Sequence, residues 1–366
     1  MNKLLSFAAL ALLQQIALAP SALAQASAAQ AAGKTKPSPL APSEIVAAAP
    51  KADWTAIAPS DLLVMDLAPD AKGKPRRVVI QLMPPPFSQG WIGNIRKLAA
   101  AHWWDGLSIN RLQDNYVVQW GDANADDKVK ARALPAGLVT MAEADYVTGY
   151  SPAMFSTVWG AGGRGAAREK LQPLPPRAAE WHGFADPYAG QFAFAGGFPV
   201  GLTRTLETVL NPPQPGIPRS AAPYLVPKLI WPVHCYGMVG VGRDLSPNTG
   251  TGAELYAVIG HAPRHLDRNI ALVGRVIEGI EYLSSLPRGT ATLGFYQTAA
   301  ERTSIVSIRL GGAVPGLPAY EYLSTEGAAF GAYADARANR RDPFFIRPAG
   351  GADVCNIPVP VRRVKP

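Results

Sequence analysis

The sequence predicts a mainly β protein: a closed antiparallel barrel with two short capping helices, a large irregular insertion and a C-terminal extension. Three observations carry that expectation. Glycine and proline contribute 35 residues each, 70 of 366, above the ordinary combined share of about 12%, which favours turns and short strands over long helices. Apolar runs recur as short segments bounded by turn residues, and only two stretches show helical spacing. Hydrophobic residues make up 48% of the chain and charged residues 17%, enough to bury a core and to exclude wholesale disorder. Closure is expected because a barrel leaves no unpaired strand edge.

Residues 1–24 have the form of a secretory signal. Lys3 leads, an apolar run over residues 4–19 is interrupted only by Ser6, Gln14 and Gln15, and Ala22-Leu23-Ala24 supplies the small-x-small cleavage pattern. The paired glutamines argue against a membrane helix, which needs about 20 predominantly apolar residues. No later stretch is long and apolar enough to span a bilayer, so the expected mature protein is soluble and exported, most simply to a periplasm. Residues 25–50 are alanine, proline, serine and lysine without an apolar period and predict a disordered linker.

The folded domain is expected over residues 54–310. Residues 77–82 read as a strand, Met83-Pro84-Pro85-Pro86 as a turn, and residues 91–102 as a helix with Ile92, Ile95, Leu98 and Ala99 on one face. Short strands follow at 107–112 and 116–120. Residues 123–232 form the insertion, irregular and rich in proline. Its aromatic side chains, Trp159, Trp181, Phe192, Phe194 and Phe198, predict a folded embellishment packed on the barrel, with a client- or partner-binding surface as the alternative. Strands return at 239–242, 254–259 and 271–276, a short helix at 278–286 and a last strand at 304–310. The extension, residues 311–366, carries Tyr320, Tyr322, Phe330, Phe344 and Phe345 and is expected to pack on the barrel.

The formal charge is +8, or +7 once Lys3 leaves with the signal. Without a dense basic run, this does not argue for nucleic acid. Cys235 and Cys355 read as a disulfide in an oxidising compartment, with two buried free thiols as the alternative. His102, His182, His234, His261 and His265 show no zinc-type spacing with them, so no metal is expected. Gly160-Ala161-Gly162-Gly163-Arg164-Gly165 matches G-x-G-x-x-G, but Pro173, Pro175 and Pro176 break the helix and second strand that a dinucleotide site needs, leaving a mobile surface loop. Ser151 in Gly149-Tyr150-Ser151-Pro152-Ala153 loosely matches a nucleophile elbow, yet Pro152 lacks the N–H that would complete an oxyanion hole.

The informative text runs from Trp104-Asp105-Gly106-Leu107-Ser108-Ile109-Asn110-Arg111 through Tyr116-Val117-Val118-Gln119-Trp120-Gly121-Asp122. Arg111 and Gln119 lie an even eight residues apart, so across two strands both side chains face one side of a sheet. The bland alternative pairs Arg111 with Asp105 or Asp122 and leaves Gln119 to satisfy backbone.

The order of these pieces resembles the cyclophilin-type peptidyl-prolyl cis-trans isomerases. Asn94-Ile95 matches the family's Asn-hydrophobic pair, Trp104-Asp105-Gly106 its Tyr/Trp-Asp-Gly turn, Ile109-Asn110-Arg111 its Phe-His-Arg strand, and Tyr116 to Asp122 its aromatic-x-x-Gln-x-Gly-Asp. Farther on, the run from Gly237 to Arg243, Ala253-Glu254-Leu255-Tyr256, His265-Leu266-Asp267 and Val273-Gly274-Arg275-Val276 are similar to later family motifs. The resemblance covers about residues 78–122 and 234–310.

It implies a cyclophilin-like barrel with Arg111 as catalytic arginine and Gln119 as pocket glutamine. Tyr116, Val117, Tyr256 and Leu266 would line the proline pocket, and Gly242 and Arg243 the strand that contacts substrate backbone. The chain departs from the family at Asn110, Val117, Tyr256, His265 and Ile270, where the family has histidine, methionine, phenylalanine, tryptophan or histidine, and histidine or tyrosine; the last two are also expected to meet substrate. The insertion is much longer than the family's own connection. The implied activity is isomerisation of X-Pro bonds in unfolded or exported polypeptides, without a cofactor, by a monomer. A catalytically weak binding module or chaperone using the insertion is the rival.

Overall fold

The computed structural model describes residues 38–151, 157–159, 165–167, 188–210 and 221–365. A short helix α1 (Pro42–Ala48) and strand β1 (Trp54–Ile57) precede β2 (Leu62–Leu67) and β3 (Arg76–Leu82). Helix α2 (Gln89–Ala100) follows, then β4 (Ser108–Leu112) and β5 (Val117–Gly121). The insertion supplies β6 (Thr148–Gly149), β7 (Thr157–Trp159), β8 (Gly165–Ala167), β9 (Gln191–Ala195), β10 (Phe198–Leu210) and β11 (Ala221–Pro232). Then come β12 (Met238–Val241), β13 (Leu255–Val258), β14 (Leu272–Glu278), α3 (Glu281–Ser284) and β15 (Thr303–Leu310), and in the extension β16 (Tyr320–Leu323), α4 (Ala328–Ala338) and β17 (Val361–Arg363).

Eight of these strands close a barrel in the order β12-β13-β5-β4-β15-β2-β3-β14, as expected from the sequence. Its interior is filled by alternate side chains, among them Val118 and Trp120 of β5 and Leu255 and Ala257 of β13, so the residues between them face outward. The interior strands are rich in β-branched and large apolar residues that fit this pleated surface. Strand β2 was not among the predicted elements. It pairs with β3 from Leu62 opposite Gln81 to Leu67 opposite Arg76, and its near-continuous burial removes the alternation that marks a half-exposed strand. Helix α2 buries Trp91, Ile92, Ile95, Leu98 and Ala99, the apolar stripe seen in the sequence, against β14 and β15.

The insertion, in its described residues, is more regular than its proline content predicts. Its strands form a six-stranded sheet in the order β6-β11-β10-β9-β7-β8, and Phe194, Phe198, Val200, Leu202 and Ile230 join the same core as the barrel. Proline density misleads here because proline lacks only an N–H, which an edge or a bulge can spare. Pro227 lies opposite Arg204, where the β10–β11 register shifts, and β6 covers β11 only at Leu229 and Ile230. The β9–β10 hairpin turns on Gly196 and Gly197, both at positive φ (54° and 84°), the conformation a tight two-residue hairpin requires. The dinucleotide-like run follows β7 and ends on Gly165, the first residue of β8; the two strands pair antiparallel and so form no strand-to-helix unit. Gly160 to Arg164 themselves, Pro152 and Ala153 beside Ser151, Trp181, and the side chain of Trp159 lie outside the described residues, as does the expected signal.

Two further expectations change. Part of the presumed linker is α1, which docks on α4 through partly buried Ile45 and Val46; alanine-rich composition hides a helix whose partner lies far along the chain. In the extension Tyr320 and Phe330 are buried, but Phe344 is 85% exposed. Strands β1, β16 and β17 make a third sheet. Cys235 and Cys355 form a disulfide across 120 residues, with Cα atoms 5.1 Å apart, so the free-thiol alternative falls. Leu40–Pro366 group as one compact unit. Among the described residues no helix is long and apolar enough to cross a membrane.

Candidate functional site

Three adjacent barrel strands line up the candidate residues. Arg111 on β4 lies opposite Gln119 on β5, and Gln119 lies opposite Tyr256 on β13. One strand farther, Gly240 on β12 faces Tyr256. A Cβ at Gly240 would come within 2.3 Å of the Tyr256 ring, so the glycine makes room for it. Val117, Tyr256 and Val258 form an apolar cluster separate from the barrel core, with Tyr116 and Ile270 packed on it. The pleat therefore builds an apolar patch on the outer wall of the barrel, with a cation and an amide beside it.

Arg111 is held by backbone and aromatic surfaces. Its Nε donates to the Leu293 carbonyl at 2.7 Å, its Nη2 donates to Gln113 Oε1, and its Nη1 reaches Gln119 Oε1 only at 3.5 Å. The guanidinium lies over the Tyr116 ring at 5.6 Å and the Phe295 ring at 5.3 Å. Partial burial lowers its pKa from the ordinary value, although it stays a cation at any relevant pH. The bland pairing fails. Asp105 is taken by Arg309 at 2.7 and 2.5 Å, and Asp122 accepts from the backbone N–H groups of Asn124 and Arg132. Among the described residues no carboxylate pairs with Arg111.

Beside the apolar patch is a more polar cavity of about 470 Å³, lined by Gln119, Gly242, Arg243, Asp122, Glu254 and Phe295 among others. Glu254 Oε1 accepts the Asp122 N–H at 2.6 Å. Burial, reinforced by the nearby Asp122 and Asp126 charges, pushes its carboxyl up to about 8. Arg243 donates to the Asn269 and Asp244 carbonyls. His265 is exposed and stacks on Tyr116 with centroids 6.4 Å apart. Leu266 stands apart from the apolar cluster; it is half-buried and tied to the site through its carbonyl, which accepts from Ile270 N–H at 3.2 Å.

Behind the patch runs a buried polar chain that sequence reasoning missed. Asp267 accepts from His234 Nδ1 at 2.9 Å and from Arg264 Nε at 2.7 Å. Burial drives the His234 pKa down, so the neutral ring donates through Nδ1 and accepts through Nε2. Tyr256 O–H then donates to His234 Nε2 at 2.9 Å, and burial raises its own pKa well above the usual phenol value. One signal was available: a tyrosine where the resemblance implies phenylalanine needs a partner for its buried hydroxyl. Phe295 and the Leu293 carbonyl carried no sequence signal, because they arrive on a loop that only the fold brings to β4. Among the described residues no group of three or more histidine, cysteine or acidic side chains could hold a metal ion.

The family model for cyclophilin type peptidyl-prolyl cis-trans isomerases matches residues 90–309, well over half of the chain. The chain belongs to this family. It is a peptidyl-prolyl cis-trans isomerase of the cyclophilin type, and substrates of such isomerases are proline-containing peptides. Its fold is similar to that of a crystallised cyclophilin from Hirschia baltica, with a TM-score of 0.54 at 18% identity over 86% of this chain and 95% of that one. A cyclophilin type isomerase from Cryptosporidium parvum, crystallised in the presence of the dipeptide ala-pro, gives a TM-score of 0.33 at 8% identity, covering 68% of this chain and 98% of that one. No curated protein matches the chain.

Proposed function

We propose that this isomerase acts on X-Pro bonds of exported polypeptides, with the Val117, Tyr256 and Ile270 patch as the proline socket and Arg111 as the group that stabilises the twisted amide. Rotation about the peptide bond is opposed by about 18–20 kcal/mol of partial double-bond character. Twisting breaks that conjugation and localises a lone pair on the prolyl nitrogen. A donor aimed at that nitrogen binds the transition state more strongly than either planar ground state. Arg111 Nη1, engaged only at 3.5 Å by Gln119, is the donor left for this task. Gln119, Gly242 and Arg243 flank the patch where the substrate backbone would lie, and His265 and Leu266 extend its rim.

The observation that carries this reading is the cross-strand row of Arg111, Gln119 and Tyr256 beside an outward apolar cluster. Export and a periplasmic destination rest on the signal-like residues 1–24, and the Cys235–Cys355 bridge supports an oxidising compartment. The test is isomerisation of a proline tetrapeptide by the mature protein and by Arg111→Ala. Loss of one preorganised donor is expected to lower turnover by about 10²-fold or more, while peptide binding changes far less. Arg111→Lys is expected to stay impaired, since an ammonium does not reproduce the planar fork. Undiminished turnover in Arg111→Ala would sink the assignment.

A further inference from the structure

A second cavity, of about 400 Å³, lies between the barrel and the C-terminal extension. Its walls include Met238, Ile280, Ile357 and Val359, the Cys235–Cys355 bridge, and two arginines, Arg275 and Arg337. None of the residues assigned above to the prolyl site lines it. Its volume falls in the lower part of the range for small-molecule sites.

Arg275 is 8% exposed and has no acidic partner among the described residues. Its Nε and Nη2 both donate to one neutral acceptor, Gln81 Oε1, at 3.0 and 2.8 Å, and its guanidinium lies over Phe198 at 4.7 Å. Nη1 meets no acceptor among the described residues. Arg337 donates through Nε to the Asn356 carbonyl and likewise has no acidic partner there. Acids on neighbouring elements are engaged elsewhere. Glu278 is held by Arg363 and Tyr320, Glu321 by Arg362, Asp335 by Arg341, and Asp353 by the Cys355 N–H and Arg264. Among the described residues no acidic side chain lines the cavity. A buried cation costs several kcal/mol unless it is paired, and Arg275 is one of the residues lining this largely apolar cavity. Burial alone brings the Arg275 pKa down to about 10, with only the Tyr322 hydroxyl opposing it.

We propose that this cavity is a binding site for a carboxylate with an apolar body, with Arg275 taking the carboxylate and Met238, Ile280, Ile357 and Val359 enclosing the rest. Two sources share that chemistry: a free aliphatic acid, and the C-terminal carboxylate of a polypeptide ending in an apolar residue. Arginine suits the role because its fork still offers donors after Gln81 is satisfied. This inference stands independently of the prolyl-site reading, because none of the residues assigned to that site lines the cavity.

The test is calorimetric titration of the mature protein with octanoate and with a short peptide ending in leucine, each beside its neutral counterpart, 1-octanol and the C-terminal amide. Octanoate or the free-acid peptide is expected to bind with one-to-one stoichiometry and at least tenfold more tightly than its neutral counterpart; which of the two binds identifies the source. Arg275→Met, which fills a similar volume without charge, is expected to lose that preference for the acid, and Arg337→Ala to weaken it. Isomerase activity is expected to persist in both. Should Arg275→Met fail to fold, the acid-against-neutral comparison on wild type and the Arg337→Ala titration still decide. Equal affinity for acid and neutral probes, or no binding of either acid, overturns the proposal.

Discussion

Replacing Glu254 by glutamine should remove a pH-dependent penalty built into the barrel wall. The Glu254 carboxyl titrates near 8 in the folded protein against an ordinary 4.5, because burial disfavours its charge and Asp122 and Asp126 add to that, only partly offset by the Asp122 N–H. The gap corresponds to on the order of 5 kcal/mol at about 1.4 kcal/mol per pH unit. Solvent reaching the carboxyl through the cavity reduces the expected effect to about 2–3 kcal/mol. The sign follows from where the proton is held. Between about pH 4.5 and about pH 8 the folded state keeps a proton that the unfolded chain has released, so this group lowers stability progressively as pH rises through that window. Glutamine keeps an oxygen to accept the Asp122 N–H and never ionises. In urea unfolding, Glu254→Gln and wild type should be nearly equal at about pH 5, with the variant about 2–3 kcal/mol more stable at about pH 9. A difference between the two proteins that is the same at both pH values refutes the reasoning.

Gln119→Ala removes a candidate substrate hydrogen bond worth about 1 kcal/mol, so KM for a proline peptide should rise about fivefold while kcat changes less; an unchanged KM removes Gln119 from the site. Tyr256→Phe restores the residue the family resemblance implies, yet it should cost about 1–3 kcal/mol in denaturant unfolding, because His234 Nε2 is left buried without a donor. An equally stable variant would show that the buried chain contributes little. Separating Cys235 from Cys355 releases a loop spanning 120 residues, and by loop entropy Cys355→Ser should lower stability by about 5 kcal/mol. Unfolding curves of the variant and of reduced wild type check this together, and coincident midpoints with the oxidised protein would contradict it.

Much of the barrel was legible because its strands write themselves as short apolar runs: residues 77–82, 107–112 and 304–310 all fall on observed strands. Strand β2 was not, since burial on both faces erases alternation, and α1 was not, since its apolar residues gain meaning only against α4. Prolines in the insertion read as breaks, although β11 carries them at its open edge and at a register shift. At the site, the even spacing of Arg111 and Gln119 placed both on one face, and register puts them directly opposite each other. Leu266, expected in the pocket, stands outside the apolar cluster.

Local patterning read from the sequence alone determined the β class, and the order of motifs pointed to the family, because strand period, turn chemistry and motif order are local properties. Only the tertiary structure decided which groups surround Arg111, what accepts the Tyr256 hydroxyl hydrogen bond, why Glu254 resists ionisation and why Arg275 has no counter-charge among the described residues. Each of those depends on burial and on partners tens to hundreds of residues away, and electrostatics in a low-dielectric interior is set by those neighbours and not by the residue's own type.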